Sequence, residues 1–175
     1  MDHHRLTHYV VMGVSGTGKT SLARALARTL GYTFIEGDDL HPGTNIALMR
    51  SGTPLTDADR APWLQLIADA VSEQHALGQG TVVTCSALKR KYRDVLRTAS
   101  GKIVFVHLTA PREVILQRVT DRRGHFMPPA LLDSQLATLE VPGDDEPHLS
   151  VDATGSCEEV LNAVMSRLPA TPPYN

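Results

Sequence analysis

Residues 13–20, Gly13-Val14-Ser15-Gly16-Thr17-Gly18-Lys19-Thr20, fit the pattern G-x-x-x-x-G-K-[ST]. Glycines at those positions let the backbone bend closely around an anion, so that main-chain N–H groups and the opening turn of a helix face phosphate oxygens. In that frame Lys19 reaches the β- and γ-phosphates of a nucleotide, the Thr20 hydroxyl can ligate Mg²⁺, and Ser21 follows on the same turn. At average composition such a run arises by chance about once in a hundred chains of this size. A glycine-rich turn that holds nothing is the competing reading, and context weighs against it. The run sits between the apolar stretch Tyr9–Met12 and a segment with Leu22, Ala25, Leu26 and Leu30 at helical spacing.

A second group of chemical interest is Glu36-Gly37-Asp38-Asp39, directly after the β-rich run Thr33–Ile35. Transfer of a phosphoryl group to an alcohol needs a carboxylate beside the acceptor hydroxyl, to orient it and receive its proton. A second carboxylate can hold the metal or its waters. Asp38 is the expected acceptor-side group and Glu36 the metal-side one; a polar loop that merely caps the next helix is the alternative. No guanine-reading N/T-K-x-D stretch is visible, and the short chain leaves no room for a motor's added modules. Those two facts favour a small-molecule or nucleotide kinase.

These residues must be positioned by the elements around them. Besides Tyr9–Met12 and Thr33–Ile35, β-rich runs occur at Thr81–Cys85, Ile103–Leu108 and His148–Val151. Three of the five are near-continuous apolar runs, the pattern of strands buried on both faces. Helical spacing appears at Leu64, Ile67, Ala68 and Val71 after Pro62, which belongs near a helix start. It appears again at Val160, Leu161, Val164 and Leu168 after the capping pair Ser156 and Glu159. Alternating β and α of these lengths predicts an α/β fold, a five-stranded parallel sheet flanked by helices in three layers. Ligands of such sheets bind beyond the carboxyl ends of the strands, where both groups above lie.

At 175 residues the chain fits one domain, with only the Pro-rich tail 169–175 reading as loose. A formal net charge of -2 argues against a nucleic-acid binder. No apolar stretch approaches the roughly 20 residues of a membrane helix, and Asp2-His3-His4-Arg5 is no signal segment. Cys85 and Cys157 lie far apart without ligand spacing, and Cys85 reads as a small core residue. The expectation is a reduced, cytoplasmic protein that binds neither membrane nor nucleic acid.

Several blocks together resemble the gluconate kinase family: the loop 13–20, Glu36-Gly37-Asp38-Asp39-Leu40-His41-Pro42, Asn45-Ile46, Ser51–Asp57, and Asp59-Arg60-x-Pro62-Trp63-Leu64. Cys85–Lys89 with Tyr92-Arg93-Asp94, His125–Pro128, Leu132-x-Ser134-Gln135 and Thr138–Glu140 continue the likeness. It runs from about Tyr9 to the last helix. The family commonly has Asp-Gly-Asp where this chain has Glu36-Gly37-Asp38, so Glu36 and Asp39 both stay open as the metal-side carboxylate while Asp38 is matched. The resemblance implies a P-loop kinase fold similar to that of shikimate and adenylate kinases, with ATP and Mg²⁺ as cofactors. It implies phosphorylation of D-gluconate at the 6-hydroxyl, and a homodimer.

A hydroxyl-rich anion needs a cation for its carboxylate and donors for its polyol. Arg60 is the expected carboxylate partner, because a guanidinium grips both oxygens in a planar fork. Lys89 and Arg93, after the third strand, are alternatives, set against an exposed basic helix turn. His41 can bond a substrate hydroxyl or serve a structural helix entry, and Trp63 reads as a packing anchor. The resemblance also implies a lid at about 118–130, with Arg122 or Arg123 on the phosphates and Arg118 against the adenine, beside the loop Asp152–Gly155. A same-fold kinase for another sugar acid or a shikimate-like acid, and a non-catalytic nucleotide-binding regulator, are the alternatives.

Overall fold

The computed structural model describes residues 6–121 and 128–169. Arg122, Arg123 and most of the predicted loose tail lie outside the described residues. Strands β1 (Thr7–Met12), β2 (Thr33–Glu36), β3 (Thr81–Thr84), β4 (Lys102–Thr109) and β5 (His148–Asp152) form one sheet in the order β2-β3-β1-β4-β5. Every neighbouring pair is parallel, with Val11 opposite both Thr84 and Val106 and with Glu36 opposite Thr84. Helices α1 (Lys19–Leu30), α2 (Gly43–Arg50), α3 (Asp57–Ala76), α4 (Arg90–Leu96), α5 (Arg112–Asp121) and α6 (Pro129–Thr138) lie in the connections, and α7 (Cys157–Met165) follows β5. The α/β three-layer expectation holds.

Alternation along each strand divides the core between the two faces of the sheet. Val10, Met12, Val83 and Phe105 pack with Trp63, Leu64 and Ile67 of α3 and with Tyr92 and Leu96 of α4. Their neighbours Tyr9, Val11, Val82, Val106 and Leu108 pack with Leu22 and Leu26 of α1 and with Val160 and Val164 of α7. A third cluster, Val14, Leu88, Ile115, Val119 and Leu132, joins α5 and α6 to the loop after β1.

One boundary differs from expectation. Helix α3 starts at Asp57, not beside Pro62, because Thr56 and Asp59 form a capping box: Thr56 accepts from the Asp59 N–H, and Asp59 accepts from that of Thr56. Pro62 then lies in the second turn, where it forfeits one intrahelical bond to Ala58. The early start places Asp57 and Arg60 at the carboxyl edge of the sheet.

Candidate active site

The loop 13–18 leaves β1 and enters α1 at Lys19 through Gly18, whose φ of 90° suits glycine. No described side chain caps this helix, so its first-turn N–H groups are left available at the loop, as an anion site requires. Gly16 lies so close to α5 that a Cβ there would stand 2.7 Å from Val119 Cγ2. Thr17 Oγ1 donates to the Val14 carbonyl at 2.9 Å and staples the loop internally. Lys19 Nζ donates to the carbonyls of Gly13 (3.0 Å) and Val14 (3.1 Å), folded over the mouth of the loop.

On one side the loop opens into a cavity of about 360 Å³, within the range of small-ligand pockets. Gly16, Thr17, Gly18, Ser21, Leu22, Arg118, Ala153, Gly155 and Cys157 line it. The Arg118 guanidinium donates to the carbonyls of Ala153 (2.5 Å) and Gly155 (3.4 Å), so it holds the loop after β5 in place at the edge of this space.

The other side is built at the ends of β2 and β3. The Thr20 hydroxyl donates to Glu36 Oε2 at 2.9 Å, and Thr84 donates to Glu36 Oε1 at 2.5 Å. Gly37 is held from both flanks, its N–H on Thr84 Oγ1 at 3.1 Å and its carbonyl on Trp63 Nε1 at 2.8 Å. A Cβ at Gly37 would stand 2.0 Å from the Thr84 carbonyl oxygen, so only glycine fits there. This clamp projects Asp38 from a short 3₁₀ turn, Gly37–Leu40, with its carboxylate exposed and bonded to no described side chain. Cys85 beneath is buried, and burial pushes its thiol up to about 12, as befits a small core residue.

His41 stacks on Trp63, ring centroids 4.0 Å apart, and accepts at Nδ1 from the Asn45 amide at 3.3 Å, which in turn donates to the Asp59 carbonyl. Since Asn45 donates to Nδ1, the proton sits on Nε2. Burial lowers the His41 pKa; nearby Asp38 pulls the other way and Arg60 adds to the lowering. Asp38, His41 and Arg60 therefore share one electrostatic neighbourhood. Arg60 gives one guanidinium nitrogen to the Leu55 carbonyl at 2.6 Å and to Tyr92 Oη at 3.4 Å, leaving the rest of its fork uncommitted among the described residues. Trp63 is buried, the packing anchor expected of it.

Two more basic residues follow β3, and Lys89 shares the Tyr92 ring with Arg60, the two cationic groups 5.8 and 5.7 Å from its centroid. Lys89 donates to Asp57 at 3.2 Å, and Lys91 and Tyr92 Oη bond the same carboxylate, holding its pKa well below the usual range. Lys89 remains partly exposed. Arg93 requires a correction: it is fully buried, and its guanidinium donates to Glu146 at 2.7 and 3.1 Å and to the carbonyls of Ala87 and Leu88. No edge is left for a substrate carboxylate. It secures instead the turn after β3, where Ala87 adopts a φ of 47° and Ser86 accepts from the Gly13 N–H at 3.3 Å. Glu146, held by Arg93 above all, titrates down at about 2. Sequence reasoning missed Thr84, Glu146 and the contact of Gln135 with Ser15; polar residues ending an apolar strand were the one signal available for Thr84.

A parallel sheet of this order, with a helix-entry phosphate loop and a carboxylate at the next strand end, defines the class of P-loop kinases. Residues 9–142 match the family described as an AAA domain. A gluconokinase from Gluconobacter oxydans is 53% identical over 92% of this chain and 90% of its own length. The solved structure of a gluconokinase from Sinorhizobium meliloti is 46% identical, covers 93% of this chain and 91% of its own, and superposes with a TM-score of 0.80. Shikimate kinase from Aquifex aeolicus, 15% identical with a TM-score of 0.56 over 91% of this chain and 94% of its own, shares the fold. The chain belongs to the gluconokinase family.

Proposed function

We infer that this chain transfers the terminal phosphoryl group of ATP to the 6-hydroxyl of D-gluconate, giving 6-phospho-D-gluconate and ADP. The observation that carries the reading is the continuity of the two half sites. Thr20 of the phosphate loop bonds Glu36, and two residues on Asp38 stands in the neighbourhood of His41 and Arg60. Phosphoryl transfer needs little covalent help from the protein and much positioning, and that continuity supplies it.

Main-chain N–H groups of the loop cradle the phosphates, and Lys19 moves from its own loop carbonyls onto the transferring group, where its charge counts most. Arg60 takes the gluconate carboxylate with the free part of its fork, and His41 Nε2–H donates to a hydroxyl along the chain. Asp38 accepts a hydrogen bond from the 6-hydroxyl and takes its proton as the new O–P bond forms and the bond to ADP breaks. A hydroxyl and a carboxylate are the hard oxygen donors Mg²⁺ prefers, so Thr20 and Glu36 fit that ion, with Asp39 left aside because it bonds neither. When bound, the ion neutralises charge on the phosphate oxygens. Arg122 and Arg123, outside the described residues, are assigned to the phosphates on family resemblance alone. So is the homodimer, whereas the cytoplasmic location is carried over from the sequence reading; no described helix is long and apolar enough to cross a membrane.

A coupled ADP-release assay over a panel of sugar acids and shikimate tests the reading. Gluconate is expected to give the highest kcat/KM; a preference for another acid of at least tenfold would overturn the substrate assignment.

A further inference from the structure

The phosphate loop has one anchor that the reaction as described leaves without a role. Gln135 of α6 accepts at Oε1 from the Ser15 main-chain N–H at 2.8 Å, and its Nε2 donates to Ser15 Oγ at 3.1 Å. A side-chain amide thus engages both polar groups by which Ser15 can act in the loop. Ser15 is absent from the lining of the 360 Å³ cavity, which takes in Gly16 to Gly18 and Ser21. Ser15 is instead joined through Gln135 to α6, and the loop's first residue, Gly13, donates to the Ser86 carbonyl in the turn after β3, on the acceptor half.

Helix α6 reaches the acceptor half as well. Just beyond its end, the Glu140 N–H donates to the Leu88 carbonyl at 2.8 Å, and the Glu140 carboxylate accepts from the Arg90 N–H at 2.6 Å. Leu132, fully buried, packs with Val14 and Leu88. One short helix is thereby fixed to the turn after β3 at one end and presents Gln135 to the phosphate loop from its middle. Nothing in the core requires an amide there, since Leu132 already supplies the apolar contact.

We propose that Gln135 is a positioning residue for phosphoryl transfer: by holding Ser15 it fixes the phosphate loop relative to the acceptor half, where the terminal phosphate meets the sugar hydroxyl. The proposal rests on the kinase reading above. An in-line transfer is sensitive to small displacements, with about 1 Å costing on the order of a hundredfold in rate. The amide also brings no charge to a place where the terminal phosphate brings several.

Gln135→Glu and Gln135→Ala separate this role from packing. The carboxylate of Gln135→Glu can accept from both the Ser15 N–H and the Ser15 hydroxyl, so a merely structural residue would tolerate it. The proposal expects both variants to melt within a few degrees of the parent and to lose kcat, Gln135→Ala about 10- to 100-fold. It further expects Gln135→Glu to lower the affinity for a non-hydrolysable ATP analogue at least tenfold relative to ADP, both titrated with Mg²⁺. Binding needs no gluconate, so this ratio stands even if the acceptor is another acid, and failure of the substrate assignment shows separately in the parent's turnover. A parent-like analogue-to-ADP ratio and kcat in Gln135→Glu overturn the proposal, whether or not Gln135→Ala folds.

Discussion

Glu36 and Asp38 are two residues apart and of the same chemical kind, yet the backbone between them sends them to different partners. Glu36 ends β2 and is bonded by Thr20 and Thr84, while Asp38 leaves the Gly37 clamp exposed. Asp38→Asn keeps the size and part of the hydrogen bonding, so both substrates should still dock while kcat falls about 10²–10⁴-fold, the usual worth of a general base. Glu36→Gln should instead raise the Mg²⁺ concentration needed for half-maximal rate, with a smaller loss at saturation. Magnesium titrations of both variants decide it, and full recovery of Asp38→Asn at high Mg²⁺ would mean the two roles are exchanged. Arg60→Lys replaces a fork with a point charge and should raise the KM for gluconate at least tenfold while leaving the KM for ATP in place. If both constants stay put, the partly exposed Lys89 inherits the carboxylate. These roles were legible in the chain because motif and strand end are local: a contiguous loop, and residues placed just past an apolar run. The fate of Arg93 was not legible, since its partner Glu146 lies 53 residues away and nothing in the spacing of either reveals the other.

Among the elements, the strands and the helices α1, α3 and α7 could be read from periodicity. Helices α2 and α6 could not, because α2 buries only Asn45 and α6 only Leu132, too little for an apolar stripe. The link between α6 and the phosphate loop joins residues 120 apart, which is a property of the folded topology. The buried pair of Arg93 and Glu146 acts at this scale, tying α4, the turn after β3 and the segment before β5, with Arg97 as a second donor at 2.8 Å. Removing Glu146 leaves the Arg93 charge buried without its carboxylate, at a cost of about 3–5 kcal/mol. Glu146→Ala should therefore lower the urea midpoint by an amount equivalent to several kcal/mol. A loss under about 1 kcal/mol would contradict a structural role for the pair.

Over the whole molecule, two histidines buried within the sheet make the fold sensitive to acid. The Thr81 N–H donates to His8 Nδ1 at 3.2 Å, so the His8 proton sits on Nε2 and is donated to His75 Nδ1 at 3.0 Å. Burial, with His75 adding to it, lowers the His8 pKa from 6.5 to about 4. His107 is lowered likewise to about 4, by burial first and then by Arg93 and His148. The unfolded chain takes up these two protons below its ordinary value of 6.5 while the native state resists them until about 4. Stability is therefore full above that window and falls with pH inside it, by up to about 1.4 kcal/mol per unit for each histidine. His8→Asn should flatten the slope of unfolding free energy between pH 6.5 and 4, and an unchanged slope would remove His8 from the account. Which oxygen receives the phosphate is read directly by proton-coupled ³¹P NMR of the product made from ATP and D-gluconate. An ester at the terminal carbon places phosphorus next to two equivalent-type protons, so the phosphomonoester signal should be triplet-like, and it should vanish when Lys19→Ala replaces the parent enzyme. A doublet, marking a secondary carbon, or an ester signal that survives in Lys19→Ala, would contradict transfer to the 6-hydroxyl by this site.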